Sequence, residues 1–97
     1  MAAYAYEAIT VAGTAIGFTD AKLKEAESKY GRNLSKALVA VETAQIRFTV
    51  DGTTPSTTVG TLLDVGDILE VDGLDVSKFL AIRATGTSGA IKVIYEV

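Results

Sequence analysis

Apolar and polar positions along the chain fall into short segments with the two-residue alternation of β-strands, broken by glycine-rich turns. The clearest is Ile46-Arg47-Phe48-Thr49-Val50, which places Ile46, Phe48 and Val50 on one face and Arg47 and Thr49 on the other. Asp51-Gly52 follows at once, a strong turn signal. Tyr4–Val11, rich in β-formers, predicts a strand at a sheet edge, and Lys36–Thr43 and Ile68–Asp72 predict two more. Leu62–Asp67 ends in a turn at Gly66, and Asp72-Gly73 closes the strand before it. Phe79–Ala84 and Ala90–Val97 predict a terminal hairpin joined by Thr85-Gly86-Thr87-Ser88-Gly89. In its second strand Ile91, Val93, Tyr95 and Val97 share a face. Ile94 points the other way, between Lys92 and Glu96, where a neighbouring chain could cover it.

Two stretches depart from this pattern. Ala12–Thr19 is interrupted by Gly13 and Gly17 and reads as a loop, with Ile16 and Phe18 as its anchors to the core. Residues 20–30 are mostly good helix formers, with Asp20 placed to cap them. Their apolar stripe, Leu23, Ala26 and Tyr30, is thin, so a short helix competes there with a loop or a short strand. Tyr30-Gly31-Arg32-Asn33 reads as a turn. Six or so short strands with turn signals every 8–14 residues predict an all-β fold, a small antiparallel β-sandwich or barrel with one short helix near residues 20–30 as an option. Residues 1–11 are expected to form an N-terminal strand or arm, and residues 12–97 a single β domain.

Length changes this picture little: 97 residues suffice for one domain with a thin core. Only seven residues are aromatic, so that core must be mainly aliphatic, and a mean hydropathy of +0.32 hints that a partner covers some apolar surface. With no cysteine, disulfides and thiolate metal sites are impossible. The N-terminal residues lack the basic and apolar regions of a signal peptide, and no apolar run reaches the ~20 residues of a membrane helix. Synthesis in a cytoplasm and no membrane partner are therefore expected. The net charge of −3 is uneven, +1 over residues 1–50 (six basic, five acidic) and −4 over residues 51–97 (three basic, seven acidic). Lys22, Lys24, Lys29, Arg32 and Lys36 are interrupted by Glu25 and Glu27, which reads as a solvated mixed face and not as a nucleic-acid site.

Candidate chemistry is sparse. The chain has neither His nor Cys, which removes the commonest general base and the strongest nucleophile. Ser35-Lys36 and Ser77-Lys78 are neighbours, but adjacent residues on a strand point to opposite faces. Asp64, Asp67, Glu70, Asp72 and Asp75 fall within twelve positions, raising calcium binding or paired-carboxylate hydrolysis. Their spacing matches no calcium loop, and Asp64, Asp67 and Asp72 flank the turn glycines Gly66 and Gly73, where Asp is favoured for turn chemistry alone. The Gly86–Gly89 segment lacks the Lys of a phosphate loop. Tyr4 and Tyr6, two apart, are expected as a same-face pair packed on the core or on a neighbouring subunit. The reading is a non-enzyme with no catalytic, cofactor or metal residues.

Two segments carry a resemblance. Val41–Ser56 (VETAQIRFTVDGTTPS) and Phe79–Glu96 (FLAIRATGTSGAIKVIYE) resemble short structural proteins encoded among the head and tail genes of tailed bacteriophages. Those commonly pair an "ET-x-x-IR-aromatic-x-x-DG-x-x-P" strand and turn with a closing "F-x-AIR-x-x-G-(x)n-V-x-Y" segment; the likeness covers roughly residues 36–97. It implies a virion structural role, first of all a decoration or cement protein that binds and stabilises the assembled head. The implied partners are the major capsid protein or other virion proteins and further copies of the chain in a homo-oligomer, and the implied location is the virion after synthesis in the bacterial host cytoplasm. A neck or tail component is the alternative within that class. A small carbohydrate-binding β-sandwich module is the alternative outside it, because a similar strand and turn occurs in modules attached to glycan-degrading enzymes.

Overall fold

A computed structural model describes residues 3–30 and 35–97. Its elements are β1 (Ala3–Val11), α1 (Asp20–Tyr30), β2 (Lys36–Glu42), β3 (Ile46–Thr49), β4 (Thr61–Leu63), β5 (Ile68–Asp72), β6 (Leu80–Arg83) and β7 (Gly89–Glu96). The strands form two antiparallel sheets, one of four strands in the order β1-β7-β2-β5 and one of three in the order β4-β3-β6. The fold is all-β with one short helix, as the alternation of the sequence predicts. Of the expected turn at 30–33, residues 31–33 lie outside the described residues.

Strand β7 organises the larger sheet. It pairs with β1 along Ala3–Val11 and with β2 along Lys36–Glu42. Its inward residues Ile91, Val93, Tyr95 and, just past the strand, Val97 are all buried. Pairing aligns inward rows across the sheet: Ala5, Tyr95, Ala37 and Val71 in one, Glu7, Val93, Val39 and Leu69 in the next, then Ile9, Ile91 and Val41. The small side chains of Ala5 and Ala37 flank the large ring of Tyr95, the complementarity of volume that a close-packed interior requires. In the row beyond, Gly89 pairs with Val11 and lies close against the second sheet. A Cβ there would sit 2.8 Å from the Ala44 carbonyl oxygen and 2.8 Å from Ile46 Cγ2.

The second sheet closes on this face through Ile46, Phe48 and Ala81 together with Phe79, which immediately precedes β6. Phe18, from the loop after β1, stacks on Phe79 with ring centroids 4.3 Å apart and meets Tyr95 edge to face at 5.7 Å. Phe48 approaches Phe79 at 6.0 Å. The loop is pinned beside them by hydrogen bonds in both directions between Ile16 and Ala81. Both expected anchors, Ile16 and Phe18, therefore hold it, one through its backbone and one through its ring.

Two expectations need correction. Phe79–Ala84 and Ala90–Val97 do not form a hairpin: β6 pairs with β3 in the smaller sheet, β7 with β1 and β2 in the larger. The glycine-rich segment between them crosses from sheet to sheet. An eight-residue β7 gains longer ladders from β1 and β2 than a four-residue β6 could offer it. Of the strand or arm expected for residues 1–11, residues 3–11 form the strand, at the edge of the larger sheet, and they bury Ile9 and Val11 in the core. Tyr4 and Tyr6 do not share a face, because a register shift between Ala3 and Ala5 turns Tyr4 inward against Tyr95 while Tyr6 stays outside.

Helix α1 forms although its stripe is thin, because tertiary contacts supply what the sequence lacks. The Thr19 carbonyl accepts the first helical hydrogen bonds, from Lys22 and Leu23, so Asp20 is the first helical residue and not the cap. Asp20 instead pairs with Lys24 one turn on, at 3.0 Å. Leu23 packs against the core, and the Tyr4 hydroxyl donates to the Lys22 carbonyl at 2.8 Å.

Truncating residues 1–11 should unfold the chain: it removes two buried side chains, each contributing about 1.5–3 kcal/mol, and strips one edge of β7. Circular dichroism of the truncated protein checks this, and a native β spectrum would contradict it. Phe79→Ala should destabilise by about 3–5 kcal/mol in urea titration, because it opens a cavity at the junction of the two sheets.

Candidate functional site

The residues of Val41–Ser56 and Phe79–Glu96 build scaffold. Thr43 turns the chain out of β2 with a φ of 74°, and Ile46 is fully buried. Arg47 Nε donates to the Thr57 carbonyl at 3.0 Å and its guanidinium donates to the Gly60 carbonyl at 2.9 Å, fixing the loop between β3 and β4. The Asp51 carboxylate accepts the Thr53 N–H at 3.0 Å, and that bond holds its pKa below the usual carboxylate range. Gly52 supplies a φ of 91°, outside the range favoured by other residues. Pro55 is buried.

The acidic run does not converge. Asp64 accepts from Gln45 Nε2 at 2.6 Å, Asp67 from the Asp64 N–H at 2.8 Å, and Asp72 from the Leu74 N–H at 2.9 Å. Glu70 pairs with Lys36 at 3.5 Å. The Asp75 carbonyl accepts from the Lys78 and Phe79 N–H groups. Among the described residues no three acidic side chains come together as a metal site. Lys36, next to Ser35, is drawn instead to Glu70 and Glu96, while Ser77 and Lys78 lie exposed in the turn after β5. Of the basic residues, Lys24 is neutralised by Asp20 and Lys36 by two carboxylates; Arg32 lies outside the described residues.

Glu7 is an inward-facing polar group that the composition of its strand does not reveal. Glu7 sits on the inward row of β1, where its carboxylate accepts from the Tyr95 hydroxyl at 2.7 Å and from the Thr19 hydroxyl. A charged residue in the apolar phase of an alternating strand was the available signal. This network fastens the start of α1 to the sheet. Burial, then the bond to Glu7 and its negative charge, push the Tyr95 hydroxyl far above the usual tyrosine range. Burial and the charge of Glu25 raise Tyr4 in the same direction.

The outer face of the four-stranded sheet carries exposed apolar side chains. Pairing sets Tyr6, Ile94, Leu38 and Glu70 in one row and Ala8, Lys92, Ala40 and Ile68 in the next. Tyr6 is 57% exposed, Ile94 40% and Ile68 73%. Between them lies an apolar groove of about 170 Å³. Lys36 and Glu96 flank it in the row beyond Ile94 and Leu38, and Glu42 and Ala90 in the row beyond Ala40 and Lys92. Ile94, marked by its place between two charged neighbours, is the part of this surface that the sequence picks out. The rest needs the strand order, which brings Tyr6, Leu38 and Ile68 beside it from distant segments. Comparison with protein-family models, with curated proteins and with solved structures finds no match for this chain.

The raised tyrosines set a pH dependence. In the unfolded chain Tyr95 ionises near its ordinary value of about 10, while the folded chain keeps it protonated. Its contribution to stability is therefore complete below about pH 10 and is lost as the pH rises from there toward the folded value, by up to about 1.4 kcal/mol per pH unit. Thermal melts across the alkaline range, from about pH 8 to about pH 12, should show this decline, and Tyr95→Phe should flatten it.

Proposed function

We propose that this protein is a non-catalytic structural component of a tailed-phage virion, a decoration or cement subunit that binds the assembled head. The observation that carries an assembly role is the uncovered apolar stripe of Tyr6, Leu38, Ile94 and Ile68 on one sheet face, a surface for contact with further copies or with other virion proteins. Exposed apolar surface of this continuity marks association with another macromolecule. The likeness of residues 41–56 and 79–96 to phage head and tail proteins suggests which association. The scaffold suits the role: its core needs no disulfide, and its net negative charge favours solubility before assembly.

The chemistry around the groove favours protein over glycan or nucleic acid. Sugar-binding faces present several exposed aromatic rings, whereas this stripe has Tyr6 alone. A nucleic-acid face needs an excess of cations, but Lys36 is paired with carboxylates and Lys92 shares the face with Glu42, Glu70 and Glu96.

Purified protein mixed with heads that lack it should co-sediment with them in a density gradient, saturating at a fixed number of copies per shell. Protein that remains at the top of the gradient would remove the head-decoration reading and leave the neck and tail.

A further inference from the structure

We propose that the outer face of the four-stranded sheet is covered by a second copy of this chain, about a twofold axis running along the strands midway between β7 and β2. The inference rests on reading that face as an association surface, and it names the occupant.

The register supplies the reason. A twofold axis lying in the interface along the strands exchanges β7 with β2 and β1 with β5 and leaves each row in place. Ile94 of one copy then faces Leu38 of the other, and Ala8 faces Ile68. In the adjoining row Glu96 faces Lys36 and, by symmetry, Lys36 faces Glu96. Tyr6 faces Glu70, where its hydroxyl can donate to the carboxylate. Lys92 faces Ala40 and lies one row from Glu42 of the opposite copy, within reach of a lysine side chain. No two like charges are opposed. Apolar residues meet at the centre and opposite charges meet around them, the self-complementarity that an isologous interface demands.

The other in-plane axis, perpendicular to the strands and between the two apolar rows, fits worse. It sets Lys92 against Ile94 and Glu70 against Ile68, desolvating two charges on apolar side chains. Sheets packed face to face also align with strands inclined by about 30°, which an axis close to the strand direction provides. Four strands and four outward rows make a face of about 500 Å² per copy, or about 1,000 Å² buried in all, from the spacing of strands and residues. That is the lower bound of a specific interface, so the dimer should be weak and concentration-dependent.

Within one copy Lys36 already lies 3.5 Å from Glu70 and 4.0 Å from Glu96. A single charge reversal therefore disturbs the monomer as well, and the test must separate the two effects.

Sedimentation velocity of the full chain, from about 1 µM to about 1 mM, should show a shift from monomer to dimer. Ile94→Glu should abolish that shift while leaving the melting temperature within a few degrees, since the residue faces outward. Lys36→Glu and Glu96→Lys should each weaken self-association about tenfold or more. Mixing those two variants in equal amounts should restore the dimer. In the mixed dimer position 36 of each copy meets a position 96 of opposite charge across the interface, while each monomer's internal changes are unaltered. A wild-type chain that stays monomeric throughout would overturn the proposal. So would a dimer indifferent to Ile94→Glu, or a mixture that associates no better than its components. Head binding is a separate readout: dimers that ignore phage heads sink the head-decoration reading alone, and monomers that bind heads through this face sink the dimer alone.

Discussion

Stacking of Phe18 on Phe79, with Tyr95 at right angles beside them, holds the two halves of the fold together. Each ring comes from a different part of the chain: the loop after β1, the approach to β6, and the central strand of the larger sheet. Dispersion and burial of three large rings join the two sheets where neither could supply a core alone. The small residues around them follow from that choice. Ala5 and Ala37 make room beside Tyr95, and at the far end Gly89 lets Ile46 and the Ala44 carbonyl approach the backbone. Glu7 completes the arrangement by accepting the Tyr95 hydroxyl, which would otherwise carry a polar atom into the core without a partner.

Consuming the best apolar residues on the inner face leaves the outer face with a different character. Leu38, Ile94, Tyr6 and Ile68 have no part in holding the two sheets together, yet they stand in adjacent rows, framed by Lys36, Glu96, Lys92 and Glu42. A monomer gains no stability from exposing them. In the proposed dimer, burial of this apolar surface would supply affinity and the surrounding charges would set the orientation of the partner.

Val41–Ser56 and Phe79–Glu96 play a different part. Arg47, Asp51, Gly52 and Pro55 fix the loop after β3, and Phe79 and Tyr95 fill the core. They specify a scaffold. The surface on which the proposed function depends takes Tyr6 from outside the 36–97 stretch, and Leu38, Ile68 and Ile94 from outward positions within it. A scaffold of this kind can keep its turns and core while its outward residues change, which separates the fold from the choice of partner.

Much of the fold was legible in the sequence because strand alternation is local. Ile46, Phe48 and Val50 on one side, or Ile91, Val93, Tyr95 and Val97 on one side, require only the two-residue period and a core to face. The turn glycines Gly52 and Gly66 were legible for an equally local reason, their positive φ angles. Strand pairing was not. Thr85–Gly89 has the length and composition of a hairpin and is instead a crossing, because β7 finds longer ladders with β1 and β2 than with β6. The bulge that separates Tyr4 from Tyr6 and the inward turn of Glu7 also depend on partners distant in sequence. Local alternation was thus enough to assign the buried side of β7 and to put Ile94 on its opposite side. That Tyr6, Leu38 and Ile68 lie beside Ile94 emerged with folding, because neighbours across a sheet are set by hydrogen-bonded register between segments up to about ninety residues apart.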